Sequence, residues 1–311
     1  MTTSYPKSVL LRENGPREGF QALAAVHPTE TKLELIDALA QTGVRSIEVT
    51  SFVRADRIPQ LADAEELVAR LTPRTGVRYT ALYLNERGLE RALASTTLEV
   101  GGFFLLAASE AFLKHNQNRT LDQALAELAT MAELFAARNL PFEQLMISTC
   151  FGDEYQGRIE CEAVLAIVAQ AFQRLNGALP AEVTFADTTG WGNPEAVRRL
   201  ISEFRSRHPG VEPGLHLHDT RGTGMANVLS GLQCGVERFD ASVAGLGGCP
   251  FAPGAAGNVP TEDVAFLCEE LGIHTGVNLE KYIHCATLAE KLVGVPLPGK
   301  LKQGGLLKVR S

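Results

Sequence analysis

The chain of 311 residues lacks any apolar run approaching the length of a membrane span, so it is not expected to cross a bilayer. Basic residues are in the minority, 29 Lys and Arg against 36 Asp and Glu. The resulting net charge of −7 excludes a general nucleic-acid binder, which needs a basic surface. A phosphorylated small ligand stays compatible, because a local basic patch can sit on an acidic whole. The six cysteines show neither CxxC spacing nor short even intervals. They read as reduced thiols of a cytosolic (cytoplasmic) protein, not as a disulfide scaffold. The opening "MTTSYPKSVLL" has one lysine and a short apolar run, too little for a secretory signal. No low-complexity linker or charge block divides the chain. With 45% hydrophobic and 21% charged residues, the composition is that of a globular protein, and an enzyme is expected.

Short β-type runs alternate with amphipathic helical runs. Strands are read at "SVLLREN", "RSIEVTSF", "VRYTALYL", "EVGGFFLLAA", "QLMISTCF", "EVTFADTT", "GLHLHDT" and "RFDASVAG". Between them, "TKLELIDALAQTG" puts Leu33, Ile36, Leu39 and Ala40 on one helical face and stops at Gly43. "LDQALAELATMAELFAARN" spaces leucines and Met131 as a helix whose stripe is core packing, and "PEAVRRLISEFRSRHPG" opens on Pro194 and closes at Pro209. Eight such βα units point to an α/β fold, a TIM (β/α)8 barrel, ahead of a doubly wound sheet. A single domain over 1–311 is expected, the barrel at about 8–275 and a C-terminal helix ("NLEKYIHCATLAEKLVG") with its tail at about 276–311.

A barrel places its active site at the C-terminal ends of its strands. Those ends carry Arg17 and Glu18, then Glu48, Thr50 and Ser51, then Asp187, His216, His218 and Asp219, and finally Cys249 and Asn258. Residues two apart in a strand point to one side, so His216 and His218 of "GLHLHDT" form a ready metal pair. An isolated HxH is more often two hydrogen-bonded barrel histidines. Glu18, Asn258 and Asp187 at the same rim favour the metal. A carboxylate, imidazole and amide-oxygen set suits Mg²⁺ or Mn²⁺, with Zn²⁺ ranked behind them. Arg17 beside an acid is a common surface pair, but at a strand end facing a metal it would stabilise an oxyanion. Cys249 sits in "GLGGCP", where no neighbouring side chains could build a core. A thiol there reads as a proton donor or nucleophile, whereas Cys150, Cys161, Cys234, Cys268 and Cys285 read as inert. The "GLGG" run has no P-loop lysine or Rossmann spacing with it, so it is not read as a phosphate cradle.

Over nearly its whole length the chain resembles the 3-hydroxy-3-methylglutaryl-CoA lyase family, metal-dependent TIM-barrel carbon–carbon lyases. The resemblance rests on "NGPREGFQ", "IEVTSFV" with "IPQLAD", "AASEAF", "FGDEYQG", "ADTTGWGNP", "HLHDTRGTGMANVL", "SVAGLGGCPFAPGAAGNVPTED" and "LGIHTGVNL". It implies that His216, His218 and Asn258 ligate a metal, with Glu18 in the slot of the family's aspartate ligand. It implies that Arg17 steadies an acyl-CoA enolate, that Glu48 is a supporting carboxylate, and that Asp187 is an acid near the reacting centre. Cys249 would be the catalytic cysteine of a flexible loop. By the same resemblance a base, with Asp187, His216 and Glu18 as candidates, would take the hydroxyl proton, and the products would be acetoacetate and acetyl-CoA. An acyl-CoA thioester substrate, a homodimer and a place in leucine degradation are implied as well.

The pattern departs at several loops. The family reads "RDGLQ" where this chain has "REGFQ", and glutamate sets its carboxylate about 1.5 Å further out. Asp56 and Arg57 stand where lysine and tryptophan are expected, "LYLNERG" replaces "LTPN", and Asp153 and Glu154 occupy places where cysteine and proline are common. Their clustering raises a related ester, citramalyl-CoA, as the alternative substrate. A non-catalytic acyl-CoA binder and an isopropylmalate-type synthase rank lower, because neither accounts for the "GLGGCP" cysteine.

Overall fold

The computed structural model describes residues 5–247 and 257–307. The described chain forms two compact units, a central one (chiefly Val100–Arg238, with Leu84–Arg87) and a terminal one (Lys7–Tyr83, Gly88–Glu99 and Phe239–Ser311).

All eight strands of the sequence pattern are present. The terminal unit holds β1 (Leu10–Glu13), β2 (Ser46–Ser51), β3 (Arg78–Leu82) and, but for its first residue, β8 (Arg238–Ala241), in the order β3-β2-β1-β8. β1 pairs parallel with β2 through Arg12 opposite Ser46, and β2 with β3 through Ile47 opposite Tyr79. The central unit holds β4 (Gly102–Ala107), β5 (Phe142–Ser148), β6 (Glu182–Asp187) and β7 (Glu212–Leu217) in the order β7-β6-β5-β4, all parallel. Every residue of β6 is buried, as a parallel strand covered on both faces requires.

Helices follow the strands with the punctuation their sequences carry. Thr120 caps Leu121–Ala137 in a reciprocal capping box with Gln123, and the helix buries Leu125, Leu128, Met131 and Phe135. Asn193 caps Pro194–Arg207, whose proline sits in the first turn where no amide hydrogen is needed. In Thr29–Leu39 the buried stripe is Leu35, Ile36 and Leu39, and Leu33 is only half-buried. Lys32 is fully buried on that helix; its ammonium donates to Asp63 and to the Gln60 carbonyl, both at 2.6 Å. The expected C-terminal helix spans Leu279–Val293, closed by Gly294 at φ 73°. β4 starts three residues later than its sequence pattern suggests, and a 3-10 turn over Val243–Gly245 ends the last strand pattern early. Among the described residues no helix is long and apolar enough to cross a membrane.

Candidate active site

In the terminal unit, β1 runs through Asn14 into a π-helical turn, Gly15–Gly19, with Pro16 at its start. Wider π turns recur at functional sites because they re-aim side chains that a regular helix would bury. The Asn14 carbonyl accepts the Glu18 amide at 2.8 Å and the Arg17 amide at 3.1 Å, which fixes the turn that displays both side chains. Arg17 is 9% exposed. Its Nε donates to Glu48 on β2, and its Nη2 lies 3.2 Å from the Glu18 carboxylate. Burial works against the Arg17 charge, but Glu48 and Glu18 outweigh it and hold the guanidinium above its ordinary pKa. Burial also pushes the Glu48 carboxyl up, against the pull of Arg17. Each member of the pair is thus costly to remove alone.

Asn258 is fully buried in the same unit, and neither atom of its side-chain amide has a hydrogen-bond partner among the described residues. A buried amide left in this way costs free energy unless a ligand completes it. Gly247, at φ 131°, lies against it: a Cβ there would be 3.0 Å from Asn258 Nδ2 and 3.9 Å from Glu18 Cγ. Glycine is therefore required for both its backbone angle and the space it leaves. The Thr50 and Ser51 hydroxyls at the end of β2, and Gln21 Oε1 just after the π turn, are further buried polar atoms without partners among the described residues.

In the central unit, β6 ends on Asp187, which is fully buried. Its carboxylate accepts the Trp191 amide at 2.8 Å and the Gly192 amide at 3.0 Å. Burial raises its pKa, against those two amides and the His218 and His216 side chains. A Cβ on Gly192 would stand 2.8 Å from the carboxylate, so the second donor depends on glycine. Next to β6, β7 carries His216, and His218 follows it; both are buried, and their Nε2 atoms are 3.2 Å apart. Alternation along the strand thus brings the two imidazoles to one side. The two nitrogens of the central unit, and in the terminal unit the Glu18 carboxylate and the buried Asn258 amide, are each donor types that suit a divalent cation.

The remaining candidates sort by their surroundings. Cys249 lies outside the described residues. Cys150, Cys268 and Cys285 are buried free thiols, and burial pushes Cys268 and Cys285 up to about 12, so they stay neutral. Cys161 and Cys234 are half-buried and are also raised by burial. Asp153 has a local role: its Oδ1 accepts the Tyr155 and Gln156 amides at 2.8 Å and shapes the hairpin that pairs Gly152–Asp153 with Gly157–Arg158. Asp56 is exposed and pairs with Arg54 at 2.6 Å, which holds its carboxyl below the ordinary value. One carboxylate with no expected role, Glu13, proves to be fully buried at the end of β1.

The HMGL-like family profile matches residues 8–288. A hydroxymethylglutaryl-CoA lyase of Bacillus subtilis is 38% identical over 95% of this chain and 97% of its own. A crystal structure of the Bacillus subtilis HMG-CoA lyase superposes with a TM-score of 0.90 at 37% identity, over 96% of this chain and 98% of that one. An HMG-CoA lyase from Acinetobacter baumannii, solved with coenzyme A and 3-methylmalate, gives 0.87 at 33% identity over 99% and 100%. The fold is thereby the TIM (β/α)8 barrel implied by the strand pattern, with helices after its last strand.

Proposed function

The chain belongs to the HMGL-like family, and from that membership we propose that it is a carbon–carbon lyase cleaving 3-hydroxy-3-methylglutaryl-CoA to acetoacetate and acetyl-CoA. The observation that carries this reading is the pair of buried imidazoles, Nε2 atoms 3.2 Å apart, at the end of the strand next to the one ending in Asp187. Glu18, His216, His218 and Asn258 would hold a divalent cation, Mg²⁺ or Mn²⁺ ahead of Zn²⁺. When bound, such a cation lowers the pKa of a substrate hydroxyl and orients it.

The protein groups then divide the work. Of the three candidate bases, Asp187 is the one outside the proposed ligand set, and it is assigned as the base for the substrate's 3-hydroxyl. As that proton leaves, the C2–C3 bond breaks and its electron pair moves into the thioester enolate. Arg17 stabilises the enolate oxygen, held in place by Glu48. Cys249 protonates the enolate carbon to give acetyl-CoA, and the proton held by Asp187 restores the thiol. The free thiols elsewhere in the chain fit a reducing, cytosolic setting, and the acyl-CoA degradation that consumes leucine is the matching metabolic context. We infer a homodimer on the same family grounds.

The test is acetyl-CoA release from a panel of 3-hydroxyacyl-CoA esters with Mg²⁺ or Mn²⁺, after chelation, and with Cys249→Ala. Cleavage of the methylglutaryl ester, lost on chelation and reduced on the order of 10³-fold without the thiol, is the expected result. Turnover of citramalyl-CoA alone would retain the chemistry and move the substrate, the outcome favoured if Glu18 displaces the cation. No metal-dependent cleavage of any ester would refute the lyase.

A further inference from the structure

Glu13 ends β1 with its side chain fully buried and takes no part in the chemistry above. Its carboxylate gathers four donors from four segments of the terminal unit. Oε1 accepts the Gly15 amide at 2.7 Å and the Val243 amide at 2.9 Å. Oε2 accepts the Thr261 hydroxyl at 2.7 Å and the Tyr282 hydroxyl. A carboxylate offers about four lone-pair sites, so its capacity is used in full.

The two amides on Oε1 belong to the segments that present the site. Gly15 opens the π turn that bears Arg17 and Glu18. Val243 starts the turn stitched to the chain just past Asn258: the Ser242 amide donates to the Val259 carbonyl at 3.1 Å, and the Thr261 amide to the Ser242 carbonyl at 3.0 Å. The segments also touch directly. A Cβ on Gly15 would stand 2.6 Å from Glu13 Oε1 and 2.9 Å from Ser242 Oγ, and one on Gly19 would stand 2.5 Å from Leu246 Cγ. The two donors on Oε2 come from helices Thr261–Glu270 and Leu279–Val293, so they anchor the carboxylate from behind.

We propose that Glu13 is a positioning residue: clamped by Thr261 and Tyr282, its carboxylate fixes the Gly15 and Val243 amides and so sets Arg17, Glu18 and Asn258 relative to one another. The C-terminal helix, through Tyr282, is then part of the site's support. The inference rests on the lyase reading and its metal ligands. Packing alone would be served as well by an apolar side chain, because a buried charge gains little stability over one; a hydrogen-bonded clamp additionally fixes direction.

The experiment uses the full chain with Glu13→Gln and Tyr282→Phe. Thermal melts, Mn²⁺ affinity from the free-ion EPR signal, and kcat and KM for the methylglutaryl ester are recorded well below each melting point. Supporting groups behind metal ligands typically contribute about 10- to 100-fold to affinity or activity. Glu13→Gln is expected to lose Mn²⁺ affinity and kcat in that range with KM little changed, and Tyr282→Phe to lose a few-fold of each. Folded variants that keep the parent's Mn²⁺ affinity and kcat, whatever their melting points, would overturn the proposal. If Glu13→Gln does not fold, Tyr282→Phe decides by the same criterion. A parent that binds no Mn²⁺ and cleaves no ester overturns the lyase reading and this inference with it; an active parent with indifferent variants overturns the inference alone.

Discussion

Arg17 shows how much of a residue's role comes from what holds it. It faces Glu48 through Nε and Glu18 through Nη2, so one planar cation serves two carboxylates and still has donors left for a substrate oxygen. Lysine supplies the charge as a single point and cannot keep both partners in these directions. Arg17→Lys is therefore expected to lower kcat by about 10²-fold, the scale of one oxyanion donor, with a melting shift of a few degrees. Steady-state kinetics and a thermal melt check this; an unchanged kcat would remove Arg17 from the reaction. The placement of Arg17, Glu18, Asp187, His216 and His218 at or just past strand ends was legible in the sequence, because acids, imidazoles and a guanidinium fell where the strand patterns stop. Glu13 was not. A glutamate in a short alternating strand reads as solvent-facing, and its partners Val243 and Tyr282 lie 230 and 269 residues away.

At the scale of elements, the strands were legible because apolar β-branched runs bounded by glycine and proline have few other folds open to them. The π turn was not, since "GPREG" carries no period at all and reads as loop. Its shape is set by contacts from elsewhere in the chain, above all Gly19 against Leu246. A methyl at Gly19 must displace Leu246 or the turn itself, and overpacking of this kind costs about 1–3 kcal/mol. Gly19→Ala should therefore lower both the melting point and kcat, because the displaced turn is the one bearing Arg17 and Glu18. Adding Leu246→Ala opens the space again. The double variant should then be more stable than the sum of the two single losses predicts, a coupling measured by a double-mutant cycle in urea. Strict additivity would show that the two segments do not press on each other.

At the scale of the whole molecule, the buried acids make stability depend on pH. Glu262 is the clearest case, fully buried and pushed up to about 8 by burial, with Asp263 and Glu13 adding to the rise and the Ala244 amide working against it. The amide reaches Oε2 at 3.0 Å, while Oε1 has no hydrogen-bond partner among the described residues and would be 2.3 Å from a Cβ on Gly299. Because the folded pKa lies above the unfolded value of 4.5, the folded chain binds the proton more tightly than the unfolded one between those limits. Stability from this group is thus fully present below about 4.5, falls as pH rises toward about 8, and is level above that. At about 1.4 kcal/mol per pKa unit the fall is a few kcal/mol. Glu262→Gln keeps an oxygen for the Ala244 amide and cannot ionise, so it escapes the fall. Glu48 and Asp187 are present in both proteins and cancel in the difference, whereas Glu13, which adds to the rise at Glu262, is relieved of that repulsion in the variant and moves the difference the same way. Urea unfolding at pH 5, 7 and 9 should show the variant gaining on the parent by a few kcal/mol across the series. A difference that stays constant with pH would mean that Glu262 is already ionised in the folded chain, and that its burial is compensated by something other than a proton.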